Sequence, residues 1–151
     1  MALEQNDKQP SLVWVDCEMT GLDTAKDVLV EIAVLVTDSE LNVIGDGVDV
    51  VINATPEQLA GMDEFVTKMH TDSGLIKEIP NGITVSKAED LILNYLESAG
   101  VVSGKSPLAG NSVYVDRMFI ARDMPRLSEY LHYRTVDVSS IKELSRRWYP
   151  K

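Results

Sequence analysis

Asp16 and Glu18 stand one residue apart in Val15-Asp16-Cys17-Glu18-Met19-Thr20-Gly21-Leu22-Asp23, at the end of an apolar run. Residues i and i+2 of a strand point to the same face, so the two carboxylates project together beside a glycine-containing turn. Like charges this close repel unless a proton or a cation sits between them. Hard divalent cations prefer oxygen ligands, so the pair suggests a metal site. The competing reading is that one carboxylate caps the turn and the other is solvated. Cys17 alternates with both and faces the other way, as a small buried hydrophobe. It is the only cysteine and so has no internal disulfide partner, which agrees with a reducing cytoplasm.

The elements that must position this pair read as follows. Leu12 to Cys17 is a β-rich run, Val28 to Val36 a nearly continuous apolar strand interrupted by Glu31, and Val43 to Ile52 a third strand after the turn residues Asp38 to Asn42. Strands joined this tightly predict an antiparallel meander. Pro56 opens a helix running toward Met69. A second helix spans about Ser86 to Ser98, with Ser86 and Glu89 as a capping box and Leu91, Ile92, Tyr95 and Leu96 as its buried stripe. A Gly/Ser loop, Gly100 to Pro107, leads to a short strand, Leu108 to Gly110. Asn111-Ser112 can cap a helix carrying Asp116, Phe119 and Ile120. Pro125 starts another short helix, Thr135 to Val138 is the fifth strand, and a Ser140 to Glu143 capping box opens a closing helix to Trp148. This order predicts an α/β fold: a five-stranded mixed sheet, antiparallel over its first three strands and with parallel strands beyond, flanked by helices.

The 151 residues fit one domain, 44% hydrophobic and 25% charged. No apolar run approaches the ~18–20 residues of a membrane span. Residues 1–11 read as a flexible N-terminal tail. The net charge of −10 and the lack of a basic tract argue against a long duplex DNA groove. They leave room for a nucleotide held at its ends, where bound metal ions supply positive charge locally.

Five stretches in order resemble the oligoribonuclease branch of the DEDDh 3′→5′ exonucleases, which have the ribonuclease H-like fold. They are Val15 to Asp23, Val30-Glu31-Ile32-Ala33, His70-Thr71-Asp72-Ser73-Gly74-Leu75, Gly110-Asn111-Ser112 with Asp116-Arg117-x-Phe119, and His132-Tyr133-Arg134 through Asp137 to Leu144. The resemblance implies two-metal phosphodiester hydrolysis, with two Mg²⁺ or Mn²⁺ ions held by Asp16, Glu18 and Asp116. For Asp116 the alternative is a solvated helix carboxylate beside Arg117. It further implies short RNA oligonucleotides, dinucleotides above all, as substrate, and a homodimer as the working form.

Substrate residues carry over from the same resemblance. Leu22 matches a wedge between two bases, and Phe65 matches a stacking aromatic or else belongs to its helix's core face. Ser112, Arg134, Ser139 and Lys142 resemble a polar cap for a 5′-phosphate, although Lys142 can equally pair with a carboxylate on its own helix. Tyr133 resembles a residue donated across the dimer interface. His70 matches a histidine near the substrate or is a hydrogen-bonded structural residue.

The family pattern also requires a final H-x-x-x-x-D that supplies the general base and a fourth carboxylate. The sequence ends at Trp148-Tyr149-Pro150-Lys151, before that position. The expectation is therefore an exonuclease domain over 12–151 that lacks its C-terminal helical segment and is poorly active. The literal match His132 to Asp137 is rejected, because it lies where the family has its pre-strand motif, with His132 read in a loop and Asp137 in the fifth strand. Were that strand to extend backward, an i, i+5 pair would point to opposite faces. Asp137 is expected instead to bind backbone N–H groups at a strand end or helix entry. A non-catalytic nucleotide- or metal-binding relative, or a DEDDh exonuclease acting on DNA, are the alternatives.

Overall fold

The computed structural model describes residues 9–150, so residues 1–8 of the expected tail lie outside the described residues. The β-rich runs form β1 (Leu12–Met19), β2 (Leu29–Thr37) and β3 (Val43–Val51). β4 (Pro107–Gly110) and β5 (His132–Asp137) complete one sheet in the order β3-β2-β1-β4-β5. β1, β2 and β3 pair antiparallel, while β1–β4 and β4–β5 are parallel. The mixed sheet expected from the order of elements is thus present, with Asp16 and Glu18 on its central strand.

One face of the sheet carries the main core. Val13, Val15 and Cys17 of β1 and Ile32, Val34 and Val36 of β2 meet Ile92 and Leu96 of α4 (Val85–Ser98). Phe119 and Ile120 of α5 (Tyr114–Asp123) and Leu127 of α6 (Pro125–Tyr130) complete that layer. The period-2 alternation places these residues inside and leaves Asp16 exposed on the opposite face. Gly110 lets β4 lie close to β1, since a Cβ there would sit 2.7 Å from the Val15 carbonyl oxygen.

Several local expectations differ from the structure. The single helix expected from Pro56 toward Met69 is two: α1 (Pro56–Ala60) and α2 (Glu64–Asp72). Asp63 restarts the second by accepting the Val66 N–H at 2.8 Å. A short α3 (Leu75–Glu78) and a 3₁₀ turn (Ile79–Asn81) follow. Thr84, not Ser86, caps α4. Glu89 is buried and accepts bonds from the Arg126 guanidinium and the Leu127 N–H instead of closing a capping box. Leu91 is exposed, and Ala88 takes its place in the buried stripe.

Asn111 and Ser112 make no side-chain cap on α5. The closing helix α7 (Val138–Trp148) is capped by Asp137, so Ser140 lies inside it, and Glu143 pairs with Arg146 and Arg147. β5 begins at His132 rather than Thr135 because it pairs with β4 from Pro107 onward. Among the described residues no helix is long and apolar enough to cross a membrane.

Candidate active site

Asp16 and Glu18 reach the C-terminal half of β1 opposite Ala33 and Glu31 of β2. The pairing shifts register between Glu18 and Met19, the last pair of β1 with β2 being Met19 with Leu29. Asp116 arrives from the first turn of α5 on the core side and is buried. Its Oδ1 accepts the Cys17 backbone N–H at 2.7 Å, which ties the helix to the strand between the other two carboxylates. Arg117 does not pair with Asp116; its guanidinium bonds the Thr135 hydroxyl and the His132 carbonyl in β5.

The electrostatics follow from this crowding. Burial pushes the Asp116 carboxyl above its ordinary value, against the bonds from Cys17, and the charge of Asp16 adds to the rise. Burial also raises Glu18; the nearby His70 ring opposes the rise and Asp16 reinforces it. Burial drives the Cys17 thiol well up, with Asp116 contributing next. Among the described residues no three or more His, Cys, Asp and Glu side chains stand as a preformed cation cage. The donor chemistry nevertheless fits a divalent cation: Asp16, Glu18 and Asp116 offer only hard carboxylate oxygens, and a cation would favour the charged forms that burial, with a smaller part from the Asp16 charge, disfavours in Glu18 and Asp116.

His70 is buried, with Nε2 2.8 Å from the Met19 carbonyl oxygen and Nδ1 3.9 Å from Glu18 Oε2. The ring thus bridges the hydrogen-bonded end of β1 and the Glu18 carboxylate. It steadies the end of β1 from which Glu18 projects. The other histidine, His132, accepts the Arg134 N–H through Nδ1.

A cleft of about 420 Å³ opens beside Glu18, bordered by Leu22, Phe65, Val66 and Met69. Leu22 and Phe65 are exposed at its rim, 70% and 75% accessible, so neither belongs to the core. Phe65 is thus not on the buried side of its helix, whose one buried residue is His70. Asp16 lines a neighbouring groove of about 610 Å³ along the outer sheet face, with Trp14, Leu35, Asp49 and Asn111.

Of the residues expected to form a polar cap, Ser112 and Ser139 gather around Asp137. Its Oδ1 accepts the Ser112 N–H at 2.9 Å, the Ser139 N–H at 2.9 Å and the Ser139 hydroxyl at 2.6 Å. These bonds, the Ser139 hydroxyl first, lower the Asp137 carboxyl. Ser112 adopts a left-handed backbone, φ 51°, which bends the chain from β4 into α5. Tyr133 and Arg134 are exposed on β5, with the guanidinium 5.6 Å from the ring centre. Lys142 is exposed on α7.

Four residues that sequence reasoning passed over also shape the site: Thr20, Asp27, Arg122 and Asp123. Asp27 and Thr20 are buried beneath the turn that carries Leu22. Arg122 joins that turn to α5. No local pattern marks them, because their partners are long-range or lie on the inner side of a turn.

Comparison with known proteins agrees with this architecture. The family model described as exonuclease (RNase_T) matches residues 13–151. Oligoribonuclease of Rhodococcus jostii is 60% identical over 144 residues, covering 95% of this chain and 72% of that protein. Oligoribonuclease of Cutibacterium acnes is 57% identical over 140 residues, covering 93% and 69%. Oligoribonuclease of Mycobacterium avium is 59% identical over 141 residues, covering 93% and 66%. Among solved structures, product-bound exonuclease I superimposes with a TM-score of 0.69 at 18% identity, covering 95% of this chain and 33% of that one. The zinc-bound form of the E. coli ExoI–ssDNA complex gives the same score and identity, covering 95% and 31%. The fold is that of exonuclease I, ribonuclease H-like, and by sequence the chain belongs to the oligoribonuclease family of exonucleases.

Proposed function

We propose that this chain is a 3′→5′ exoribonuclease that takes RNA of very few nucleotides, down to dinucleotides, and releases mononucleotides. The observation that carries the reading is that Asp116 binds the Cys17 N–H between Asp16 and Glu18, while Glu18 borders a cleft with an exposed apolar rim of Leu22 and Phe65. The 57–60% identity to oligoribonucleases supports the substrate class.

Asp16, Glu18 and Asp116 would hold divalent cations, Mg²⁺ or Mn²⁺. Two such ions would activate a water and stabilise the leaving 3′-oxygen. His70 keeps Glu18 in place by fixing the Met19 carbonyl. Leu22 separates the two bases and Phe65 stacks against one of them. Arg134, with Ser112, Ser139 and Lys142, receives the 5′-phosphate. An end cap of this kind suits a chain of net charge −10, since a dinucleotide has ends to hold and no long backbone to track. The working form is a homodimer in the cytoplasm, and the exposure of Tyr133, at 75%, suits a side chain donated to the partner's site.

The test is hydrolysis of a 5′-phosphorylated diribonucleotide with Mn²⁺, beside long single-stranded DNA and long RNA. Faster cleavage of the diribonucleotide is expected. Equal or faster shortening of DNA would reassign the chain to DNA metabolism. Metal-dependent binding without cleavage would make it a nucleotide-binding relative.

A further inference from the structure

The turn between β1 and β2, which carries Leu22, is wired more heavily than a surface turn requires. Its interior holds two buried polar side chains, Thr20 and Asp27. Thr20 donates its hydroxyl to Asp27 Oδ1 at 3.2 Å and accepts the Val28 N–H at 3.0 Å. Asp27 Oδ2 accepts the Asp23 N–H at 2.9 Å, one residue beyond Leu22. Gly21 lies flat against this carboxylate, since a Cβ there would stand 2.7 Å from Asp27 Cγ. A side chain next to the wedge would push the turn off its anchor.

The turn is also fastened from outside. Arg122 donates to the Thr24 carbonyl through Nη1 and to the Asp27 carbonyl through Nη2, the latter at 2.8 Å. Asp123 orients the same guanidinium by accepting from Nε at 2.7 Å and Nη2 at 2.6 Å, and Phe119 supports it 5.0 Å from its ring centre. A planar guanidinium offers five donors in a fixed fork, a geometry a lysine ammonium does not have. Arg122 sits six residues after Asp116 on α5, roughly 9 Å along the helix axis at 1.5 Å per residue. One rigid helix therefore carries Asp116 at one end and the clamp on the Leu22 turn at the other.

We infer that Arg122, oriented by Asp123, is a positioning residue that fixes the gap between the Leu22 wedge and the carboxylate centre, and so sets the preference for two-nucleotide substrates. The inference rests on the proposed role of Leu22 at the site. Arg122 touches neither substrate nor metal in this scheme; it acts through the turn.

The experiment measures binding of a 5′-phosphorylated diribonucleotide with a phosphorothioate linkage, and of a nucleoside 5′-monophosphate, to the full chain with Mn²⁺. The variants are Leu22→Ala, Arg122→Lys, Asp123→Asn and the double variant Leu22→Ala/Arg122→Lys. Arg122→Lys and Asp123→Asn should each weaken the dinucleotide by ~10-fold, within the range that small misplacements cost. Both should leave the monophosphate, which meets no wedge, within twofold of its original affinity. Amide hydrogen exchange should rise at Asp23 and Asp27 in both variants. In the double variant the two losses should not add, because both remove one gap.

If Leu22→Ala weakens the dinucleotide while Arg122→Lys and Asp123→Asn do not, the clamp is refuted and the wedge stands. If Leu22→Ala itself changes nothing, the wedge reading fails and takes the clamp with it. Equal losses for monophosphate and dinucleotide, with a lowered melting temperature, would reduce Arg122 to a structural residue. Asp123→Asn leaves Arg122 and its backbone contacts available, so it serves if Arg122→Lys fails to fold.

Discussion

The turn after β1 and the junction of β5 with α7 both carry residues of the proposed substrate site, yet they are built in opposite ways. The first is organised from within by buried Thr20 and Asp27 and strapped to α5 by Arg122. The second is organised by Asp137 at a strand end, with Tyr133, Arg134 and Lys142 standing in solvent. A group held by several buried bonds loses little entropy on binding, whereas exposed long side chains must be ordered by the ligand. The turn that carries Leu22 is therefore ordered without a ligand, whereas the exposed side chains of β5 and α7 would be ordered by one.

The largest effect that tests this contrast lies between these two regions. Asp116→Asn should lower Mn²⁺-dependent hydrolysis of a diribonucleotide by ~10²-fold or more, the scale of the transition-state charge stabilisation a metal supplies. A rate within a factor of about two of the original would remove Asp116 from the metal site. On the phosphate side, Arg134→Ala should cost about 1.5–3 kcal/mol of dinucleotide binding, as for a hydrogen bond to a charged group. A longer oligomer should lose far less, because its other contacts remain. Parallel losses on both substrates would break the end-cap reading.

On the wedge side, Asp27→Ala should destabilise the fold by about 1–3 kcal/mol by stranding the Thr20 hydroxyl and the Asp23 N–H. Urea unfolding measures this, and a value near zero would mean that the turn is not held from within.

The pH dependence of stability separates the two ends of the site further. Glu18 and Asp116 have raised carboxyl values, so in the metal-free protein each destabilises the fold at neutral pH. That penalty is relieved as pH falls through the raised values. Asp137 has a lowered value, so its stabilisation is present above the unfolded value and is lost as pH falls through the folded one. Asp116→Asn should accordingly raise the neutral-pH melting temperature of the metal-free chain, and Asp137→Asn should lower it. Both differences should shrink in acid, and shifts of the same sign would undo the distinction. The smallest effect is expected at α7, which buries no residue: Ile141→Ser should change stability by no more than about 0.5 kcal/mol.

The sheet and the Asp16/Glu18 pair were legible in the sequence because a strand's period of two survives in any context. Local signals misled where distant partners compete. Ser86 and Glu89 satisfy a capping box on paper, but Glu89 is claimed by Arg126 and Leu127, 37 and 38 residues away. Ser140 and Glu143 fail similarly, since Asp137 already caps α7 and the arginines of the last turn take Glu143. The break at Gly61 escaped notice because Pro56 through Met69 carries a broadly helical composition, and Asp63 restarts the helix unannounced. Arg122 was invisible for the opposite reason: its acceptors on the Leu22 turn are backbone carbonyls, which leave no trace in side-chain pattern. Spacing alone suggested a metal role for Asp16 and Glu18; the roles of Asp116 and the cap residues came from family resemblance, and the measurements above decide them.

Cys17 has a practical consequence for spectroscopy. Its thiol is buried against α5, and burial together with the neighbouring Asp116 keeps it protonated, so it is a poor nucleophile toward maleimides and iodoacetamides. The native chain is thus nearly silent to thiol labels. A cysteine introduced at Leu22 or Phe65, both at the open rim of the cleft, would take up a fluorophore or spin label selectively. Two such labels would turn the distance across the cleft into a quantity read directly in solution, with and without a nucleotide between them.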